Sequence, residues 1–403
     1  MNGALSWPFM RLYLLTALYF CANAILNVII PLKGGSLGAS NAVIGIVMGA
    51  YLSTTMLLRP WAGHIIRKQG PITVLRAILA LNALALALYA FTGLEGYFAA
   101  RVLQGVCTAF FSMALQLGLI DALPEGERSQ GISMYSLCAT MPGIVGPLLA
   151  IGLWEADNPA LLAIVLIGLG VLTGAVGFTA RVGESAAQEA KPETKDGKPG
   201  EGAGMLRWFG ELVRHPHLLR CSLLMLGASV IFGAATTFIP LYAAKVSGAS
   251  AAVYLMLQAG TVVAARFWLR KRIPSDGEWH PAFMRLILLS LAAAALCVGL
   301  AAYGGGALFY AGAFLMGIAQ AMVYPTLTTY LSFILPKDSR NILMGLFIAM
   351  ADLGVSLGAI AMGPVADLTS YSAMYLFCAA LGASLLLVSA HEARSRRSSS
   401  LPA

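Results

Sequence analysis

Long apolar runs separated by short polar stretches recur from one end of this chain to the other. About twenty apolar residues cross a bilayer core as a helix. Twelve runs reach that scale: 11–32, 41–62, 72–91, 97–120, 129–152, 159–180, 218–241, 251–269, 282–303, 307–334, 341–366 and 371–390. The pattern predicts an all-α integral membrane protein. The fourth run departs from plain apolarity, because Arg101, Gln104, Thr108, Ser112 and Gln116 recur near the helical period. They fall within about 60° of one line on a helix. A charged side chain in a spanning helix costs roughly 2.5–3.5 kcal/mol on insertion scales. Such a seam is expected to face a bundle interior or a water-filled cavity.

Composition agrees with the pattern: 59% of the 403 residues are hydrophobic and 11% charged, against about 25% charged in ordinary soluble domains. The net charge of +8 is distributed by side. With the N-terminus cytoplasmic, the outer loops hold only Lys33 and Lys245 as basic residues. The remaining loops carry Arg67, Lys68, Arg181, Lys191, Lys195, Lys198, Arg207, Arg214, Arg270, Lys271, Arg272, Lys337 and Arg340, and the tail carries Arg394, Arg396 and Arg397. That bias predicts that both termini lie on the cytoplasmic side of the membrane. It also accounts for the basicity without nucleic acid. Ala22-Asn23-Ala24 has the form of a signal cleavage site, but the apolar run continues to Leu32, so the first segment is expected to stay.

The chain repeats itself. Ile30-Pro31-Leu32 followed by Leu37-Gly38-Ala39-Ser40 returns as Ile239-Pro240-Leu241 followed by Ser247-Gly248-Ala249-Ser250. Leu123-Pro124 with Arg128 returns as Leu335-Pro336 with Arg340, and Gly146-Pro147 returns as Gly363-Pro364. Offsets of roughly 210 residues in register imply two homologous, pseudo-symmetric six-helix bundles, an arrangement in which transporters hold substrate near the midplane between the halves. The expected division is a first bundle over 1–182, a linker over 183–217, a second bundle over 218–391 and a cytoplasmic tail over 392–403. The linker is rich in Glu, Lys, Pro, Gly and Ala up to Gly204, and 205–214 reads as a short amphipathic interfacial helix.

These residues resemble the major facilitator superfamily over the whole chain. The family's loop between spans two and three carries Gly-x-x-x-Asp-Arg-x-Gly-Arg; here Gly63, Lys68 and Gly70 fit, while Arg67 stands in place of the aspartate. Arg101-x-x-Gln104-Gly105 looks like the fourth-span motif that the family links to proton coupling. Gly143-x-x-Gly146-Pro147 looks like the fifth-span motif associated with exporters. Extended stretches, among them LSWPFMRLYLL, RPWAG, GLEGYFAARVLQGVCTAFFSM, RKRIPSDGEWHP and QAMVYPTLTTYLSFILPK, are similar to opine-metallophore exporters of the staphylopine type. Arg59, nearer the cytoplasmic end of span two, reads as snorkelling or gating, and the resemblance implies a gating role for Gly63, Lys68, Gly70, Gly143, Gly146 and Pro147, with Gly363 and Pro364 as the repeat of the last pair. Small residues let helices approach closely, and proline bends a span.

Asp352 lies near the middle of the eleventh span, where a carboxylate can load and release a proton as its surroundings change. A fixed ion pair between helices is the other reading. Arg101 is the second proton-coupling candidate, with pairing inside the bundle or snorkelling to the outer interface as alternatives. Candidate substrate contacts are Asn23, Asn27, Arg101, Gln104, Gln116, Gln258, Arg266, Gln320, Tyr324 and Asp352. Polar residues also act as ordinary glue between membrane helices, and Arg266 is placed to snorkel. The six cysteines lie singly in apolar runs and the five histidines scatter over cytoplasmic ends, so no metal site is expected.

Together the residues and the resemblance imply a secondary exporter of a small carboxylate-rich metallophore, exported without its metal. It would be driven by the proton gradient with no cofactor, and would work as a monomer in the lipid bilayer. A broad drug/proton antiporter is the alternative. A non-transporting sensor is a third reading. No nucleotide loop, His-Glu-x-x-His or nucleophile elbow points to an enzyme.

Overall fold

The computed structural model describes residues 6–123, 125–179, 215–269, 272–274, 276–336 and 340–399, with a few side chains inside helices left out. The linker and the short amphipathic helix expected over 205–214 lie outside the described residues, apart from 215–217. Among the described residues the regular elements are helices: α1 (Trp7–Ser36), α2 (Asn41–Gln69), α3 (Pro71–Phe91), α4 (Leu94–Ala122), α5 (Glu125–Thr140), α6 (Pro142–Glu155), α7 (Pro159–Thr179), α8 (Pro216–Tyr242), α9 (Ala251–Leu269), α10 (Pro281–Ile334), α11 (Arg340–Leu368) and α12 (Tyr371–Ser399). A short 3-10 turn, Ala243–Lys245, follows α8.

Proline sets several of these boundaries. Pro71, Pro142, Pro216 and Pro281 sit in the first turns of α3, α6, α8 and α10, where a missing N–H costs nothing. The same chemistry divides the fifth crossing, because Pro142 cannot donate and Met141 becomes the joint between α5 and α6. Glycine sets another boundary. α10 is too long for one crossing, and Gly305, at φ 68°, folds it into two limbs. Counted that way, eleven apolar helical stretches become twelve crossings, as the sequence pattern predicts.

Several helices run beyond the apolar runs, α2 as far as Gln69. α1 continues past Pro31 to Ser36, and α8 past Pro240 to Tyr242. One lost hydrogen bond does not end a helix whose neighbours bury it, and membrane helices tolerate interior proline for that reason. At the other end of the chain, α12 extends through Ser399.

The chain forms two compact units, one of residues 1–34 and 46–198, the other of 35–45 and 199–403. In the first, α3 packs on α4 and α7. Its core includes Tyr19 stacked on Phe111 with ring centroids 3.8 Å apart. In the second, α8 packs on α11 and α10 on α12. The α8–α11 contact is a close approach of backbones. A Cβ on Gly233 would fall 2.1 Å from the Val355 carbonyl oxygen, and one on Gly358 2.1 Å from that of Val230. Lipid supplies no hydrophobic drive between helices, so small residues that bring backbones into contact do the packing.

Apolar side chains also cover the outside. Leu14, Leu84, Ile164, Val171 and Leu286 are exposed along the helices, and Trp7, Phe91 and Tyr303 are exposed at helix ends. A lipid-facing belt with aromatic residues at its rims has this form.

Overpacking a tight helix contact costs roughly 1–3 kcal/mol. Gly358→Leu is therefore expected to lower the melting midpoint and the yield of monodisperse protein in detergent. Gly168→Leu, at a position with no atom within 4 Å of the added Cβ, is expected to change neither.

Candidate functional site

Arg101 on α4 is fully buried in the first unit. Asn23 and Asn27, one turn apart on α1, both turn their side-chain oxygens to it. Nη1 donates to Asn23 Oδ1 at 2.6 Å and Nη2 to Asn27 Oδ1 at 2.8 Å. Nη2 also approaches Met48 Sδ of α2 at 3.5 Å, and the guanidinium lies 5.2 Å from the centre of the Tyr51 ring. Nε has no hydrogen-bond partner. An arginine keeps its charge in any protein setting, and here these partners are neutral dipoles and an aromatic face. Snorkelling to the outer interface is excluded by that burial.

The network extends down the seam. Asn23 Nδ2 donates to Tyr51 Oη at 3.3 Å; Tyr51 Oη and Thr108 Oγ1 are 3.0 Å apart; Thr108 Oγ1 and Tyr19 Oη are 2.8 Å apart. Gln104 accepts from Tyr89 Oη at 2.7 Å, so its carbonyl is used within the bundle. Ser112 donates to the Thr108 carbonyl at 2.8 Å. The side chain of Gln116 lies outside the described residues. Thr55 Oγ1 reaches the Gly105 carbonyl at 3.0 Å, and a Cβ on Gly105 would fall 2.4 Å from the Tyr51 carbonyl oxygen. Gly105 therefore brings α2 against α4 and sets the height at which Tyr51 meets Arg101.

The second unit holds a different cluster. Gln258 Nε2 on α9 donates to Gln320 Oε1 on α10 at 2.8 Å, while Gln258 Oε1 is buried without a partner. Tyr324, one turn beyond Gln320, stacks on Phe347 with centroids 6.0 Å apart. Arg266 is half-buried near the end of α9. Asp352 is half-buried on α11. The structure thus brings together Arg101, Asn23 and Asn27 in one unit, and Gln258 and Gln320 in the other.

The residues assigned to gating are spread over three helix segments. Arg59 is half-buried on α2, Lys68 is exposed near its end, and the side chain of Arg67 is outside the described residues. Gly70, at φ 85°, makes the turn into α3, a conformation that favours glycine. A Cβ added at Gly63 would lie 3.6 Å from the tip of the Met113 side chain, an ordinary contact. On α6, Gly143 and Pro147 flank Gly146, where a Cβ would lie 2.5 Å from that of Ala24 and α6 abuts α1. On α11, Gly363 precedes Pro364, and a Cβ there would fall 2.4 Å from the Asn41 carbonyl oxygen.

Tyr19, Tyr51 and Tyr89 are tyrosines of the Arg101 network that the polar pattern does not single out. Each carries its one side-chain polar atom at the tip of a largely apolar ring. Only the buried hydroxyl needing a partner could have marked them.

The Major Facilitator Superfamily model matches residues 12–302 and 279–403. The staphylopine export protein of Staphylococcus aureus is 53% identical over 389 residues, covering 96% of this chain and 97% of that protein. Among solved structures, a variant of the nucleoside transporter NupG matches with a TM-score of 0.74 at 16% identity, over 94% of this chain and 98% of that one. The human organic anion transporter MFSD10 matches at 0.65 and 17%, again over 94% and 98%. At those identities the two structures speak for the fold alone. With twelve apolar crossings, a polar seam and a family model that matches nearly end to end, the chain belongs to the Major Facilitator Superfamily and is a multi-pass membrane transporter, not an enzyme.

Proposed function

We propose that this transporter exports a small, carboxylate-rich opine metallophore of the staphylopine type, without its metal, by alternating access coupled to the proton gradient. Its termini lie on the cytoplasmic side of a bacterial plasma membrane. The observation that carries the reading is the end-to-end similarity to the staphylopine exporter. The Arg101 cluster supplies a chemistry that fits it.

A guanidinium satisfied only by neutral groups is a site of unmatched charge. A carboxylate can take two of its N–H donors at once and supply the missing negative charge, which makes arginine the residue suited to planar bidentate recognition. In the present state Arg101 is closed off, so its two asparagines hold the place of that partner. The cycle we favour has the cargo carboxylate displace Asn23 or Asn27 in the loaded state. Arg266 is the second cation suited to a polycarboxylate, and Asp352 meets an amine or a proton. Protonation of Asp352 from the outer side then weakens the loaded site and releases cargo.

Uptake of metal-free staphylopine into inverted membrane vesicles, driven by an acidic interior, tests the reading directly. Uptake is expected, and a protonophore is expected to lower it several-fold. Uptake indifferent to the protonophore would remove proton coupling. Transport of lipophilic cations in place of the opine would favour a drug antiporter.

Two substitutions separate the roles. Losing a hydrogen bond to a charged group costs roughly 1.5–3 kcal/mol, so Arg101→Lys, which keeps the charge but loses the fork, is expected to lower kcat/KM about 10- to 100-fold in the same assay. Asp352→Asn is expected to abolish the response to the pH gradient while leaving exchange of opine across unenergised vesicles.

A further inference from the structure

The first turn of α2 is held by a carboxylate from far along the chain. Asp367, in the last turn of α11, accepts hydrogen bonds from the backbone N–H of Asn41 at 2.9 Å and the Asn41 side-chain amide at 2.7 Å through Oδ1, and from the backbone N–H of Ala42 at 2.9 Å through Oδ2. Ser40 Oγ takes the next donor, the N–H of Val43, at 3.3 Å. A helix begins with N–H groups that have no partner inside it and a partial positive charge. Here the first two are matched by an aspartate on another helix, with both of its oxygens used.

The surroundings fit this contact. Tyr371 Oη, at the start of α12, donates to Asn41 Oδ1 at 2.6 Å, and Lys245 Nζ lies 4.8 Å from the centre of the Tyr371 ring. Gly363 and Gly45 remove the side chains that would keep the segments apart: a Cβ on Gly363 would fall 2.4 Å from the Asn41 carbonyl oxygen, and one on Gly45 2.1 Å from that of Ala359. These contacts lie within the second unit, which takes in residues 35–45, while α2 from Ile46 onward belongs to the first.

The internal repeat makes this clamp specific to one place. Ser40-Asn41-Ala42-Val43 corresponds to Ser250-Ala251-Ala252-Val253, so Asn41 matches Ala251. Pro147 corresponds to Pro364, so Asp367 matches Ala150. Both members of the pair are alanine in the counterpart. Neither a side-chain amide nor a carboxylate stands at the counterpart positions. Asp367 is also exposed, so water can take over its hydrogen bonds when they break.

We propose that Asp367 is the catch of a conformational latch. It keeps the first turn of α2 with the second unit in this state and releases it in the opposite state of the transport cycle. The proposal rests on alternating access and not on the identity of the cargo.

The test uses the full chain with its six native cysteines replaced by alanine. Spin labels are placed at Leu37→Cys and Leu368→Cys, both exposed and flanking the clamp. In lipid nanodiscs, Asp367→Asn is expected to raise the longer-distance population at least threefold over the unsubstituted protein, and Asn41→Ala to raise it less. Identical distance distributions in the presence and absence of the Asp367 carboxylate would overturn the latch and leave a static cap. Separately, an Asn41→Cys, Asp367→Cys pair oxidised to a disulfide is expected to cut uptake of metal-free staphylopine at least tenfold, with recovery on reduction. Full transport while cross-linked would also overturn it. If the opine is not moved by the native protein, the functional reading fails, and the spin-label distances still decide the latch.

Discussion

A guanidinium that cannot lose its charge, enclosed in a helix bundle built for lipid, is the constraint around which the first unit is arranged. Arg101 has to be compensated from all sides, and each compensation fixes an element. Two oxygens from α1 set the rotation of that helix through Asn23 and Asn27. The Tyr51 ring sets the height of α2, which is possible because Gly105 has no side chain. Thr108 and Tyr19 then tie α4 back to α1 one layer further along. The polar atoms along this line act as one network, because each hydroxyl or amide that turns away leaves its neighbour buried and unmatched. A network that is expensive to disturb in one state can mark the change to another when a ligand offers better partners.

Most of the architecture was legible in the sequence because the bilayer leaves few options. A spanning segment must satisfy its own backbone, so it is helical and about twenty residues long, and its ends and joints fall at proline and glycine. Twelve crossings follow from that alone; the joint at Met141 does not, because the pattern reads 129–152 as one unbroken run. The seam on α4 was legible too, since it needs only the helical period. Which groups would meet Arg101 was less legible. Asn23 and Asn27 share a face of α1, but their pairing with Arg101 depends on the relative height of two helices 74 residues apart at the nearer pair. Gln104 looked equally suited to ligand contact and turned out to serve Tyr89.

The Asp367 clamp was invisible for a different reason. An acidic residue at the end of a membrane helix reads as an interfacial charge, and its partner is a pair of backbone N–H groups that every helix has. The glycine opposite was read, since Gly363-Pro364 repeats Gly146-Pro147, but a repeat marks packing and not the carboxylate four residues further on. The comparison of the halves shows the difference only after the contact is known.

That comparison separates what close helix packing demands from what each half adds to it. Aligning Pro124 and Arg128 with Pro336 and Arg340 sets Gly105 against Gly317, and the two glycines do the same work. A Cβ on Gly105 would meet the Tyr51 carbonyl at 2.4 Å and Thr54 at 2.7 Å; one on Gly317 would meet the Gln258 carbonyl and Thr261, both at 2.6 Å. The close approach of the helices is therefore preserved in both copies. The charge is not: the same alignment sets Arg101 against Ala313 and Gln104 against Met316, both fully buried and apolar. At this position the cation stands in the first half alone, and the second half holds a neutral glutamine pair in which one oxygen is left over. Two bundles that must pack alike share their glycines and prolines, because the bilayer treats them alike. The polar positions carry no such common demand, and they differ between the halves where the glycines and prolines do not.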